Sequence, residues 1–315
     1  MFHSEVKSVL GEDISILVQP DNHPWTYLCE CGDAELLTVK EIQHANAIFV
    51  SHTHIDHFAN FDAVIRHKVG IQRKPIICGP AGIAEQVQAR FRSYTWNLMP
   101  QGWMTYEIRE LVTDDTIKVY EIESPHWELK PLETRLGNVI FEEADFQVTA
   151  ILLDHGTPTL AYKFQEFDAV KMELGSSGFR GGKWVRELKE AYEKRQPARM
   201  IIIDGKEYPA AELFHLLHTQ RGDTLGIIMD HAANEANHQK IIEHFGNCRR
   251  VYIESFYQAE DKEFAEKNHH SYSTMSGKVM QAAHVREPIP VHFSRKYGEE
   301  EVRNLMEEFE AAFRS

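Results

Sequence analysis

Short apolar runs alternate with amphipathic stretches along the whole chain. Between the apolar runs, hydrophobic residues recur at helical spacing in Phe61–Val69, Ala81–Arg92, Val185–Arg195, Asn234–His244, Ser273–Ala283 and Glu299–Phe313. The apolar runs themselves predict strands that are buried on both faces. They are Ile14–Val18, Ala47–Val50, Val148–Leu153, Met200–Ile203, Gly226–Met229, Val251–Ile253 and Ile289–His292. This alternation predicts an α/β protein in which helices cover the sheets.

A single compositional break interrupts this pattern. Glycine and serine concentrate in Glu173–Trp184, at Gly175, Ser176, Ser177, Gly178, Gly181 and Gly182. Such a run predicts a mobile or projecting loop. The sequence shows no internal repeat, low-complexity tract or Pro/Ser-rich linker. We therefore expect a single domain over residues 1–315 and interpret the glycine-rich segment as an insertion within it.

Composition limits the classes of function and of location. The 34 Lys and Arg residues against 48 Asp and Glu residues give a net charge of −14. This charge argues against attraction of nucleic acid to the whole surface and leaves only a local basic patch. No apolar run reaches the roughly 18 residues that span a bilayer, and the N-terminus lacks a secretory signal pattern. Four scattered cysteines favour packing roles in a reducing cytoplasm, so we expect a cytoplasmic protein without membrane insertion.

The clearest chemical signal is Ser51–His57, which follows the second predicted strand and reads Ser-His-Thr-His-Ile-Asp-His. Neutral imidazoles and carboxylates are the ligands that a zinc-like dication prefers. Alternate positions leaving a strand project side by side, so His52 and His54 can share one ion. Asp56 and His57 lie beyond the turn and can face a second ion. The alternative interpretation is a polar surface turn in a chain with 18 histidines.

Further His and Asp residues stand at the ends of other predicted strands. A lone histidine at a strand end is more often structural than a ligand. Three such ends accompany the His-rich motif, however, and open α/β sheets place their sites at the carboxyl ends of strands. These ends are Asp154-His155, Asp230-His231 and His292. Together with the motif they predict a binuclear metal centre.

These residues resemble motifs of the metallo-β-lactamase-fold hydrolases and, within them, of ribonuclease Z, the tRNA 3′-end endonuclease. Ser51–His57 resembles the metal motif of the family, Tyr27–Asp33 its early strand and glycine turn, and Leu153–Tyr162 its His-Gly-x-Pro segment. Three motifs are more specific to ribonuclease Z and have the family patterns His-Glu-Ala-Thr, His-Ser-Thr and His-Phe-Ser-x-Arg-Tyr. The segments that resemble them are Tyr252–Ser255, His270-Ser271 with Gly277, and Val291–Tyr297. The resemblance implies an αβ/βα sandwich of two mixed sheets flanked by helices.

The resemblance also implies the ligands of two zinc ions, although manganese or iron suits the same residue types. One ion would be held by His52, His54 and His155 and the other by Asp56, His57 and His292, with Asp230 between them. Two such ions generate a hydroxide at neutral pH and clamp the oxygens of a phosphodiester. The implied catalytic residues are Asp56, Glu254 and His270, where His270 is a general acid oriented by Glu254.

Ribonuclease Z carries a projecting arm that grips tRNA, and the matching stretch here is residues 167–197. It lacks the Gly-Pro element of the family, but Lys171–Met200 contains eight Lys and Arg against four Asp and Glu. The alternative is a solvated helix of mixed charge. Expected substrate-binding residues are Arg180, Lys183 and Arg186 in this arm and Ser294 and Arg295 in the terminal motif. Asn60 and His231 also depart from the family pattern without removing a ligand.

The function implied is a metal-dependent phosphodiesterase that cleaves tRNA precursors near the 3′ end, acting as a homodimer. The acidic pI and the missing Gly-Pro element keep open a hydrolase of the same fold that acts on a small phosphodiester, a cyclic nucleotide or a sulfate ester. A non-catalytic RNA-binding relative would be expected to have lost metal ligands. A thioester hydrolase of the glyoxalase type would not need Glu254, His270 or the arm.

Overall fold

Two compact units make up the part of the chain that the computed structural model describes, which is residues 1–33, 35–175 and 178–315. The larger unit consists of Met1–Gln165 and Asp223–Ser315, and the smaller unit is Glu166–Gly222. The arm expected at residues 167–197 falls within the smaller unit, which continues to Gly222. Ser176 and Ser177 of the predicted glycine-rich loop lie outside the described residues.

An eight-stranded mixed sheet forms the first half of the larger unit. Its strands follow chain order, and the pairs from β3 to β6 are parallel while the outer pairs are antiparallel. The strands are β1 (Phe2–Val6), β2 (Ile16–Pro20), β3 (Thr26–Cys29), β4 (Ala45–Phe49), β5 (Ile76–Pro80), β6 (Thr105–Thr113), β7 (Thr116–Glu123) and β8 (Lys130–Leu136).

A six-stranded sheet forms the second half and begins with β9 (Val139–Glu142), β10 (Phe146–Asp154) and β11 (Pro158–Glu166). The chain then builds the smaller unit, which contains β12 (Ala169–Met172), β13 (Met200–Ile203), β14 (Lys206–Pro209) and β15 (Leu217–Gln220). It completes the sheet with β16 (Thr224–Ile228), β17 (Arg250–Glu254) and β18 (Glu287–Val291). The order is β18-β17-β16-β11-β10-β9, with the last three strands of the chain parallel.

Ten α-helices are present among the described residues, together with two short 3₁₀ turns at Phe214–Leu216 and Ala259–Asp261. The six helices predicted from the sequence are confirmed, with ends within two residues of the prediction. The helices are α1 (Val39–His44), α2 (Ile55–Phe58), α3 (Phe61–Lys68), α4 (Ile83–Arg92), α5 (Lys183–Glu193), α6 (Ala210–Leu213), α7 (Glu235–Phe245), α8 (Lys262–Lys267), α9 (Ser273–Ala282) and α10 (Glu299–Arg314).

The two large sheets pack face to face, which confirms the predicted sandwich. Between them lies an apolar core, where the rings of Phe49 on β4 and Phe164 on β11 have centroids 5.1 Å apart. The outer face of the first sheet is covered by α1, α3 and α4, and that of the second sheet by α7, α9 and α10. Helical spacing of the buried residues Val302, Leu305 and Phe309 explains why α10 packs with one face, which lies against α9.

One strand was predicted at the correct residues, but the prediction that it is buried on both faces was wrong. Met200–Ile203 forms β13, which pairs with β14 in a two-stranded hairpin of the smaller unit rather than joining a large sheet. Ile201 and Ile203 are buried in the core of that unit, whereas Met200 and Ile202 are 46% and 58% exposed. A hairpin of two strands has packing partners on only one face, so this apolar run is not buried on both faces.

The four cysteines, Cys29, Cys31, Cys78 and Cys248, are buried and unpaired, as expected for packing residues. Within the described ranges, no helix is both long enough and apolar enough to cross a membrane.

Candidate metal centre

The seven predicted metal ligands lie just beyond the carboxyl ends of four strands. One of these strands belongs to the first sheet and three to the second. After β4 come His52, His54 and, in α2, Asp56 and His57; after β10, β16 and β18 come His155, Asp230 and His292. Strand ends from both halves of the sandwich therefore converge on one place.

The first group of ligands is His52, His54, His155 and Asp230, whose ligand atoms lie within 4.8 Å of one another. Asp230 Oδ2 is 3.8 Å from His52 Nε2 and 3.4 Å from His155 Nε2. His54 is the exposed member of the group, while the other three are buried. Three imidazoles and one carboxylate oxygen thus surround a common point.

The second group is Asp56, His57, Asp230 and His292, also with ligand atoms within 4.8 Å. Here the other carboxylate oxygen, Asp230 Oδ1, lies 3.2 Å from His57 Nε2 and 2.9 Å from His292 Nδ1. Asp56 Oδ2 is 3.5 Å from His292 Nε2. Each oxygen of Asp230 therefore faces a different group of ligand atoms.

The polar atoms of this cluster fit a metal site by their lack of other partners. Buried polar atoms without a hydrogen bond are costly and rare in folded proteins. Four buried atoms of the cluster form no well-aligned hydrogen bond among the described residues, although Asp230 Oδ1 lies close to two of the nitrogens. These atoms are His52 Nε2, His57 Nε2, Asp230 Oδ1 and His292 Nδ1. Burial also lowers the pKa of His52 to about 2, so its imidazole is neutral and able to bind a cation. This nitrogen and oxygen donor set suits divalent metal ions.

Glu30 supports the cluster, although the sequence analysis assigned it no role. This fully buried carboxylate accepts hydrogen bonds from His57 Nδ1 (3.0 Å), from the backbone N–H of Ser51 (2.9 Å) and from the Ser51 hydroxyl (3.1 Å). The bond to Nδ1 leaves Nε2 of His57 directed at Asp230. A carboxylate at the end of an apolar strand is the signal that could have revealed it, because such a charge needs buried partners.

His155 is oriented in a similar way by a backbone carbonyl. Its Nδ1 donates to the carbonyl oxygen of His269 at 2.7 Å, which leaves Nε2 for the cluster. The neighbouring Gly156 has φ +72°, and a Cβ there would lie 3.0 Å from the His269 ring. Glycine at this position therefore allows the loop that carries His269 to approach His155.

Glu254 and His270 form a pair at the edge of the cluster. Glu254 is fully buried, and its Oε2 accepts from the backbone N–H groups of His231 (3.1 Å) and Ser271 (3.2 Å). Its Oε1 accepts a hydrogen bond from His270 Nδ1. Burial opposes the charged form of His270, but the carboxylate of Glu254 outweighs burial and raises the pKa of His270. The Nε2 of this imidazole remains free of the pair and can exchange a proton.

The predicted substrate-binding residues fall into two groups. Ser294 is buried next to the cluster, whereas Arg295 is 64% exposed and pairs with Asp13 and, at 3.5 Å, with Glu12. In the smaller unit, Arg180 and Lys183 are exposed, and Arg186 pairs with Glu190 at 3.2 Å.

The two departures from the family pattern do not enter the cluster. The Asn60 side chain donates to the Gly32 carbonyl. His231 is completely buried and donates from Nδ1 to the Met229 carbonyl at 2.9 Å. Both residues therefore form bonds to the backbone around the site.

Comparisons with known proteins agree with this geometry. Ribonuclease Z of Deinococcus radiodurans is 29% identical over 296 residues, which cover 91% of this chain and 87% of that protein. The metallo-β-lactamase fold protein YhfI of Bacillus subtilis superposes with a TM-score of 0.59 at 14% identity, covering 100% of this chain and 94% of its own. The short form of human tRNase Z gives 0.59 at 12% identity, covering 94% of each chain. A family model described as the β-lactamase superfamily domain matches residues 32–293, and the chain therefore belongs to the β-lactamase superfamily.

Proposed function

We propose that the protein is a ribonuclease Z, a metal-dependent endoribonuclease that cleaves tRNA precursors near the 3′ end. One observation carries this proposal. Two ligand groups that share Asp230 lie at one centre, and the Glu254–His270 pair lies directly beside them. A relative named ribonuclease Z matches nearly the whole chain, which supports the choice of substrate.

The ligand groups would hold two metal ions, for which we propose zinc. His52, His54 and His155 would hold one, Asp56, His57 and His292 the other, and Asp230 would contact both. When bound, such ions supply a hydroxide at neutral pH and neutralise charge on the phosphodiester. Manganese and iron share these ligand preferences. Elemental analysis of protein expressed with each metal distinguishes them.

The side chains around the ligands perform the proton transfers. His270, held through Nδ1 by Glu254, would donate its Nε2 proton to the leaving 3′ oxygen, which is a poor leaving group without protonation. The side chain of Asp56 is 35% exposed and would accept a hydrogen bond from the attacking water. We propose these two roles for Asp56 and His270, and a positioning role for Glu254.

We propose that the smaller unit binds RNA. It contains ten Lys and Arg and nine Asp and Glu, so it is close to neutral in a chain of charge −14. Arg180 and Lys183 have no ion-pair partner in the described parts of the chain, which leaves both available to phosphates. Arg186, which is 87% exposed, can exchange its pair with Glu190 for a phosphate.

A gel assay on a tRNA precursor, run beside a chromogenic phosphodiester, tests the proposal. Cleavage at one position near the 3′ end that is lost with a chelator and in Asp230→Ala supports it. Hydrolysis of the small ester without cleavage of the precursor would refute it and indicate a small-molecule phosphodiesterase. The homodimer and the cytoplasmic location are part of the same proposal, and light scattering of the purified protein tests the dimer.

A further inference from the structure

We infer that Phe256 positions the general acid His270 by stacking on its ring. The two rings are nearly parallel, with centroids 3.9 Å apart and an interplanar angle of 7°. Among the other rings near His270, those of His155 and Tyr257 meet it at 61° and 76°, and that of His292, with its centroid 6.2 Å away, is tilted by 41°. This inference rests on the proposed function, in which His270 donates a proton to the leaving oxygen.

A hydrogen bond alone does not orient the His270 ring. The bond from Nδ1 to Glu254 fixes one atom, and the torsion of an imidazole about its Cβ–Cγ bond is otherwise broad. Glu254 itself is fixed by two backbone N–H groups, so it provides a firm anchor point. A flat contact over the ring face defines the plane of the ring. The two contacts together direct Nε2 along one line.

Phe256 is held well enough to serve as this platform. Its carbonyl oxygen accepts from the backbone N–H of Ser294 at 3.0 Å. The edge of its ring meets Tyr257 with centroids 4.9 Å apart at 80°. Tyr257 is buried and its hydroxyl accepts from the Asn268 side chain at 3.0 Å. The stack is therefore part of a packed loop after β17.

Two other roles for Phe256 are stacking on a nucleobase of the substrate and support of the predicted metal ligand His292. A nucleobase of the substrate cannot stack on the face that His270 already covers. The ring also lies 5.0 Å from that of His292 at 40°, so Phe256 could instead support a metal ligand. A role through His292 would change metal content, whereas a role through His270 would change proton transfer alone.

The experiment compares two substrates whose leaving groups differ in their need for a proton. A tRNA precursor has an alkoxide leaving group, whereas thymidine 5′-(p-nitrophenyl) phosphate releases a nitrophenolate that needs little protonation. Phe256→Leu removes the aromatic ring but keeps an apolar side chain, whereas Phe256→Tyr retains an aromatic ring at this position. Phe264→Leu, at a phenylalanine that is 55% exposed on α8, is the matched control.

We expect Phe256→Leu to lower kcat on the precursor about tenfold or more, with little change in KM, because small misplacements of catalytic groups carry such costs. Hydrolysis of the nitrophenyl ester and the metal content should change less than about twofold, since neither needs the acid. Phe256→Tyr should retain most of the activity. In a His270→Ala background Phe256→Leu should cause no additional loss, because the side chain acts through His270.

Equal losses on both substrates, a loss additive to that of His270→Ala, or a loss of bound metal would each overturn the inference. If His270→Ala distinguishes the two substrates and Phe256→Leu does not, only the role of Phe256 fails. If His270→Ala itself loses the same factor on both substrates, the acid role in the proposed function fails and the role of Phe256 fails with it.

Discussion

Replacing Glu30 with glutamine should weaken metal binding by about 10- to 100-fold, the usual range for groups that orient a ligating histidine. In the native protein the carboxylate accepts three hydrogen bonds, one of them from His57 Nδ1. A glutamine offers one acceptor oxygen and one NH₂ donor. If the oxygen faces His57, the NH₂ opposes the N–H of Ser51. If the NH₂ faces His57, Nδ1 must accept, so the proton moves to Nε2 and blocks the metal-binding nitrogen.

The stability cost follows from the same contacts. The first orientation leaves the Ser51 N–H and the glutamine NH₂ facing each other without an acceptor, at about 1–3 kcal/mol for each unpaired donor. The second orientation keeps these groups paired, but only by moving the His57 proton to Nε2. Glu30→Ala would leave all the donors unpaired and add a cavity, so its cost should be the larger of the two. The free energy of unfolding of the metal-free protein, from denaturant titration, measures this contribution separately from metal binding.

Glu110→Gln is the matched control. Glu110 is also buried and its Oε1 accepts from the backbone N–H groups of Gly82 (3.0 Å) and Ala84 (2.9 Å), at the start of α4. A glutamine can keep both hydrogen bonds through its amide oxygen, so this variant should lose less stability than Glu30→Gln and show no change in metal affinity. Metal affinity is measured by competition with a chromogenic chelator. Equal metal affinities of Glu30→Gln and Glu110→Gln would refute the role of Glu30.

Three further outcomes follow from the site. Asp230→Ala should reduce the occupancy of both ions in elemental analysis, because its two oxygens face different ligand groups; full occupancy of one ion would contradict a bridging role. His270→Ala should lower turnover of a tRNA precursor by about 10²–10⁴-fold with metal content intact. Changing Arg180, Lys183 and Arg186 together to Ala should weaken precursor binding and flatten its dependence on salt while sparing a small phosphodiester, whereas equal losses on both substrates would rule out a separate RNA-binding surface.

A matched control for the triple variant uses exposed basic residues of the larger unit that lie in α3, in β7 and just before β18. Changing Arg66, Lys118 and Arg286 to Ala removes the same charge from the protein as a whole. If this control weakened precursor binding as much as the variant of the smaller unit, net charge rather than a local surface would explain the effect.

The clustering of the seven predicted metal ligands could be predicted because the local sequence indicates where each residue lies in the fold. Each relevant strand appears as a continuous apolar run, and His or Asp follows it within two residues. A residue that directly follows such a strand lies at the edge of the sheet where that strand ends. For this reason Asp230 and His292, which are far apart in the sequence, were expected near each other, as the structure has them.

Other features depend on partners that no local pattern reveals. All residues of β8 are exposed, so Lys130–Leu136 lacks the alternation that would mark it as a strand. The importance of Glu30 comes from His57, which it meets only after folding. Similarly, Phe256 is an ordinary aromatic residue in the sequence, and only the folded chain places it on His270. The end of the smaller unit at Gly222 is set by pairing of β12 with β15, which are distant in sequence.

The predicted ligands come from both sheets, so metal binding should also affect the stability of the fold. His52, His54, Asp56 and His57 come from one half of the sandwich, whereas His155, Asp230 and His292 come from the other. Ions held between them would bind tightly only when the halves are docked, and would therefore stabilise that docking by linkage. At free metal 100-fold above the dissociation constant, each ion would contribute about 2.7 kcal/mol. Bound ions would thus stabilise the packing of the two sheets against each other. Chelation would destabilise this packing first at the edge that carries the predicted ligands.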